Sequence, residues 1–203
     1  MSKPQKKTDA IPAPIGAISP AKARILTAAI DLFYEKGYER TTVRDIADKA
    51  GILSGSLFHH FKSKQDILYT AMAMTTQAMG EGALKAVEGI TDPVAQLKAL
   101  VLVELASIHR KDGHAAYVLV DEWRSLDPEH REAVLALRDN SYERCWTEAL
   151  EGCAKKGLLK NTPSLARQLI RGSLAWTRNW YRKGGPLTLE ALADEVVGTF
   201  LTL

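Results

Sequence analysis

Residues 41–64 read TTVRDIADKAGILSGSLFHHFKSK, and the fold is decided there. Thr42 can accept a hydrogen bond from the backbone three residues on, where Asp45 can return one. This is a variant of the capping box, which more often carries Glu or Gln at that place. Val43, Ile46, Ala47 and Ala50 give the helix that follows one apolar side. Gly51 stops it, because glycine enters the left-handed conformation at a helix C-terminus without steric cost. Ile52 and Leu53 are expected to return the chain to the core, and Ser54 to cap a second helix over residues 55–61. In that helix Leu57 and Phe61 face inward, leaving Ser54, Ser56, His59 and His60 outside. Two short helices meeting at a glycine turn form a helix-turn-helix, whose second helix fits the major groove of B-DNA. Such corners also occur in bundles that never meet DNA.

Working outward, Ser19 caps and Pro20 opens a first long helix whose buried stripe is Ile25, Ala28, Ala29, Leu32 and Phe33, ended by Gly37. This helix and the motif make a three-helix head over residues 19–64. Residues 1–18, with Pro4, Pro12, Pro14 and two lysine clusters, are expected to form a disordered arm. The arm is either an inert tail or a basic segment reaching a minor groove. Residues 1–64 carry 11 Lys/Arg against 6 Asp/Glu, a net of +5, while the remainder carries 16 against 18, a net of −2. That layout suits a phosphate-binding head on a neutral body, and equally a solvated basic tail.

The body, residues 65–203, reads as helix throughout. Its helices are expected over 65–87, 93–109, 114–126, 128–156, 164–182 and 189–201, with a turn at Lys111-Asp112-Gly113. The fold class is therefore all-α, with about nine helices in all. At 46% hydrophobic the chain can bury a real core, but the run ALVLVELASI from Ala99 is broken by Glu104, so a membrane span is not expected. With no apolar signal sequence at its start, the protein is expected in the cytoplasm. Cys145 and Cys153 lie two helical turns apart on one helix, too far for an unstrained disulfide and at no metal-binding spacing. Near the C-terminus Leu165, Leu169, Gly172, Trp176 and Trp180 recur at helical spacing, as do Leu189, Leu192, Val196 and Phe200. The last helix is apolar over more than half its circumference, more than one neighbour needs. Either these faces pack within one chain, or the last two helices join a homodimer.

The motif residues resemble the DNA-binding segment of the TetR family of bacterial transcriptional regulators. The likeness is carried by TVRDIA from Thr42, AGI from Ala50, Ser54, Gly55, Leu57 and HFKSK from His60. It implies a repressor that binds double-stranded DNA at a palindromic operator as a homodimer and is released by a small molecule. On that reading Ser54, Gly55 and Ser56 allow close approach to the bases, and His59 and Arg44 can meet base edges. Thr42, His60 and Lys64 would hold phosphates. Phe58 stands where the family usually has tyrosine, so its ring can pack but its phosphate-binding hydroxyl is missing. Arg44 can equally pair with Asp48 four residues on.

Trp176, Trp180-Tyr181 and GGPLT from Gly184 resemble a subgroup that senses CoA thioesters from fatty-acid, aromatic or steroid breakdown. An acyl-CoA or aryl-CoA effector would need an apolar tunnel and cations for its phosphates. Met72, Met79, Tyr117, Trp123, Tyr142 and Trp146 are candidates for the first, with Trp176 beside them. Arg110, Arg124, Arg138 and Arg178 are candidates for the second. Aromatic residues at helical spacing also serve as plain core. No cofactor is expected to be required, and no catalytic or metal residues are assigned. Adjacent His59 and His60 point about 100° apart on a helix, and Asp121-Glu122 with His130 has no recognisable catalytic spacing. Two alternatives remain at this point: a helical interaction module without a DNA role, and an activator of the same fold.

Overall fold

Ser19 accepts a hydrogen bond from the Lys22 amide at 3.3 Å and Pro20 fills the first turn, so α1 (Pro20–Lys36) starts where its capping residues dictate. The computed structural model describes residues 16–110 and 114–202. Residues 1–15 of the expected arm and the turn at Lys111-Asp112-Gly113 lie outside the described residues. Gly37, at φ +82°, ends α1 and donates its amide to the Phe33 carbonyl. After it come α2 (Val43–Ala50), α3 (Ser54–Leu57) and α4 (Lys64–Val87). The body continues with α5 (Pro93–Ile108), α6 (His114–Asp121), α7 (Pro128–Asn140), α8 (Tyr142–Lys155), α9 (Pro163–Trp176) and α10 (Leu189–Phe200). The protein is all-helical among the described residues.

Four helices depart from the sequence expectation. The second motif helix is one turn, not two. Ser54 is its first residue rather than its cap, and Leu53 at the cap position has no side-chain acceptor to hold the free amides. The chain nevertheless keeps turning, with the Phe61 amide on the Leu57 carbonyl at 3.0 Å. The single helix expected over 128–156 is two, broken at Ser141 (φ −130°, ψ −63°), which raises the count to ten. Both α7 and α8 pack on α4, and Gly80 of α4 makes room for the break. A β-carbon at Gly80 would overlap the Ser141 hydroxyl. The helix expected over 164–182 stops at Trp176 and passes into a 3-10 turn, Thr177–Asn179. Buried Thr177 donates its hydroxyl to the Leu174 carbonyl at 2.6 Å and meets His109 Nε2 at 2.8 Å. A 3-10 turn, Trp123–Ser125, likewise follows α6, which ends earlier than expected.

Two hydrophobic clusters result. The first joins the head to the near end of the body: Ile25, Phe33, Ile46, Leu57 and Phe61 pack with Ile67, Leu68 and Met72 of α4 and with Val134 and Leu137 of α7. The second unites α5, α8, α9 and α10 around Trp146, Leu100, Ile170 and Val197. Cys145 and Cys153 are free and buried within it. A single antiparallel bridge between Leu159 and Leu201 ties the end of α8 to the end of α10. Among the described residues no helix is long and apolar enough to cross a membrane.

The same substitution should have opposite signs at two helical glycines. A β-carbon on Gly152 of α8 would stand 2.7 Å from Cβ of Pro93, a rigid ring at the start of α5. On Gly82 of α4 it would make an ordinary 3.6 Å contact with Val103. Gly82→Ala is expected to stabilise by about 0.5–1 kcal/mol through helix propensity. Gly152→Ala is expected to destabilise by about 1 kcal/mol, overpacking outweighing that gain. Urea unfolding of the two variants checks both signs.

Candidate nucleic-acid interface and effector cavity

The capping box at Thr42 is closed in both directions. Thr42 Oγ1 accepts from the Asp45 amide at 3.1 Å, and Asp45 Oδ2 accepts from the Thr42 amide at 2.8 Å. The same carboxylate oxygen takes Lys36 Nζ at 2.7 Å, binding the end of α1 to the start of α2. The Lys36 ammonium, together with the Thr42 amide and hydroxyl, holds the Asp45 carboxyl well below the usual carboxylate range.

Around α3 the residues assigned to DNA lie together. Gly55, Phe58 and His59 are exposed, and Ser54, Ser56 and His60 are half-buried. Nothing lies within 4 Å of the β-carbon position at Gly55, leaving open space beside the backbone. Leu53 corrects its expected return to the core: it is 79% exposed, because the tight turn spends its inward positions on Ile52 and Leu57. Arg44 stands well out in solvent, with Nε 3.9 Å from Asp48, too far for a firm hydrogen bond.

Lys64 is the main correction in the head. Its ammonium turns inward and donates to the Tyr38 and Thr41 carbonyls at 2.9 and 3.0 Å, 4.0 Å from the centre of the Tyr38 ring. Those carbonyls belong to the loop between α1 and α2, so Lys64 clamps the head to the start of α4. Lys62, which the sequence reading passed over, is exposed two residues earlier. Its only sequence signal was its place within the basic HFKSK run.

A cavity of about 300 Å³ lies in the body, bounded by α4 to α9. Met79, Tyr117, Trp123, Arg138, Tyr142 and Arg178 line it as the sequence suggested. A second cavity of about 420 Å³, reaching Arg110, shares Met79, Glu104, Ser107, Ala116 and Tyr142 with the first, so the two adjoin. Four expected lining residues lie elsewhere. Met72 belongs to the head-side cluster, and Trp146 is wholly buried under the Arg167 guanidinium, 4.1 Å from its ring. Arg124 sits exposed on the 3-10 turn after α6, and Trp176 is 67% exposed on the outside of α9.

Thr76, Glu104 and Arg171 also line the cavity and were missed. Glu104 was legible as the charge interrupting the apolar run of α5. Tyr142 donates its hydroxyl to Glu104 Oε2, and Arg167 stands 3.7 Å from the same oxygen. Arg167 also reaches Glu143 at 3.0 Å, where Arg171 pairs and Arg138 approaches to 3.7 Å. Burial pushes the Glu104 carboxyl up, against the pull of Arg167 and Tyr142. Burial and the Glu104 charge push the Tyr142 hydroxyl well above its ordinary value.

Helix α6 lies between cavity and head. Ala116, Tyr117 and Val120 line the cavity, while His114 meets Asp31 of α1 at 2.9 Å and stacks on Tyr34 at 4.1 Å. Just beyond α6, Glu122 Oε1 accepts the Tyr38 amide at 3.0 Å. The Asp121, Glu122 and His130 grouping does not converge. Asp121 pairs with Arg178, Glu122 takes Tyr38 and Ser125, and His130 bonds its own capping residue Asp127. Among the described residues no group of three His, Cys, Asp or Glu is placed to hold a metal.

Leu165, Leu169, Trp176 and Trp180 are each between 45% and 67% exposed, with exposed Gly172 amid them. On α10, Leu189, Val196 and Phe200 are half-buried. Leu192 departs from its expected interface role. It is 5% exposed and packs with Ala193 and Val197 inside its own chain, because α10 lays that face on α5.

Comparison with known proteins gives two family matches. Residues 25–70 match the bacterial regulatory proteins of the tetR family, and residues 91–203 match the tetracyclin repressor-like C-terminal domain. The HTH-type transcriptional repressor KstR2 of Rhodococcus jostii is 32% identical, over 89% of each chain. The crystal structure of superantigen PfiT is 41% identical with a TM-score of 0.76, covering 92% of this chain and 98% of that one. AibR, in complex with isovaleryl coenzyme A and operator DNA, is 26% identical with a TM-score of 0.79, covering 89% and 97%.

Two outcomes are expected at the head. Lys64→Ala should cost about 1–3 kcal/mol of stability, since two carbonyls lose a charged donor, while the salt slope of duplex binding stays unchanged. Lys62→Ala should do the reverse. Thermal unfolding and salt titrations of duplex affinity separate them. For pH, a depressed carboxyl contributes stability that is full above its unfolded pKa and is lost as pH falls through the folded one. The head should therefore loosen progressively below about pH 4, and Asp45→Asn should flatten that acid limb in circular dichroism.

Proposed function

Since the chain belongs to the TetR family of bacterial regulatory proteins, we propose that it is an effector-released repressor that reads a palindromic operator as a homodimer. The observation that carries this is the helix-turn-helix itself. Its first helix is capped and clamped to α1, and its second offers Gly55, Ser56 and His59 outward. Residues 19–64 form the DNA-binding head and residues 65–203 the effector-binding and dimerisation body, with residues 1–18 as a basic arm. Thr42 and His60, with Lys62, meet phosphates; Arg44, Ser56 and His59 meet base edges. The protein acts by binding, with no chemical step of its own.

The effector is a CoA thioester whose acyl or aryl group enters the body cavity. The isovaleryl coenzyme A in the AibR complex supports this reading. Arg110, a cation on the wall of the adjoining second cavity, supports a phosphate-bearing ligand there. Filling the first cavity pushes on Ala116, Tyr117 and Val120 of α6. That helix carries His114 against Asp31 and Tyr34 of the head, so displacement at one face is felt at the other. In a dimer the two heads would then lose the spacing of half-sites one or more turns apart, about 34–36 Å per turn.

Sequencing random duplexes retained by immobilised protein should yield an enriched palindrome. Retention without a motif would leave charge attraction alone, and no retention at low salt would favour an interaction module instead. The exposed stripe on α9 supports dimerisation there: Leu169→Glu should sediment as a monomer and lose most of the affinity for the two-half-site duplex.

A further inference from the structure

The body cavity is apolar over most of its wall, and among the polar residues that line it two stand apart. The first is Thr76 of α4, 2% exposed, whose hydroxyl has no hydrogen-bond partner among the described residues. Its neighbours in the same helix behave differently. Thr70 and Thr75 each return their hydroxyls to the carbonyl four residues back, at 2.7 Å. A buried hydroxyl left without a partner is costly, so one is retained where something else satisfies it.

The second is Glu104 of α5, 7% exposed, which lines both adjoining cavities. Tyr142 and Arg167 both approach its Oε2, so Oε1 is the oxygen left to a ligand. The cations around the cavity do not ask for a charged ligand group. Arg171 pairs with Glu143, Arg138 with Asp139 and Arg178 with Asp121. An anionic ligand group would have to displace one of those carboxylates, whereas a neutral oxygen would not.

We propose that Thr76 and Glu104 select an effector whose acyl group carries a hydroxyl or keto oxygen along its chain, in preference to a plain saturated chain. The inference rests on the effector reading above and specifies its ligand class. A hydroxyl donates to Glu104 Oε1 while accepting from Thr76. A keto oxygen accepts from Thr76, and from Glu104 when that carboxyl holds a proton, a state that burial favours.

Calorimetric titration of the full chain with octanoyl-CoA and with its hydroxy and oxo derivatives tests this. At least one derivative should bind about ten-fold tighter than octanoyl-CoA, one added hydrogen bond's worth. Thr76→Val, close in shape, should abolish that preference while leaving octanoyl-CoA affinity unchanged or improved. Glu104→Gln, which keeps a partner for Tyr142, should shift the preference between hydroxy and oxo forms. Equal affinities across the series, or a Thr76→Val loss shared equally by octanoyl-CoA, would overturn the inference alone. No binding by any thioester would overturn the effector reading, and this inference with it.

Discussion

Helix α4 has one surface and two interiors to serve. Near its start Ile67, Leu68 and Met72 complete the core beneath the helix-turn-helix. Further along, Thr76 and Met79 face the cavity, and Ala83 belongs to the second cluster. Lys64 fixes the near end by taking two carbonyls of the head loop, and the small side of Gly80 admits the kink between α7 and α8 at the far one. Because one continuous helix joins the two interiors, a shift at its cavity end would be carried towards the head. On the proposed reading, this is how the contents of the body would reach the DNA-binding surface.

The polar group at the heart of the body follows from the same economy. Arg167 is 6% exposed, with its plane on Trp146 and its hydrogen bonds on Glu143, near Glu104. A hydrophobic replacement would in general be as stable or more so. What such a network supplies is fixed orientation. It holds the Tyr142 hydroxyl and the Glu104 carboxyl in one arrangement at the cavity wall, where a purely apolar lining would repack around any ligand of suitable size.

The local grammar of the fold was legible in the sequence. Ser19 and Thr42 cap the helices expected of them, and Gly37 and Gly51 end helices with φ of +82° and +69°. These signals act between near neighbours in the chain. The corrections concern groups whose fate is decided at a distance. Lys64 was read as a free cation because the carbonyls that claim it lie more than twenty residues away. The Ser141 break carries no glycine or proline and depends on Gly80 of another helix. Trp146 and Tyr142, four residues apart on α8, look alike in sequence. Arg167 of α9 lies over both rings, at 4.1 and 5.4 Å, yet only Tyr142 reaches the cavity wall.

Coupling between cavity and DNA is the claim on which the account stands, and thermodynamic linkage measures it directly. The affinity for the selected duplex would be determined without effector and with saturating acyl-CoA thioester, together with thioester affinity with and without duplex. The account predicts a weakening of about 5–150-fold in the first and an equal factor in the second, as reciprocity demands. A thioester that binds the protein yet leaves duplex affinity unchanged would contradict it.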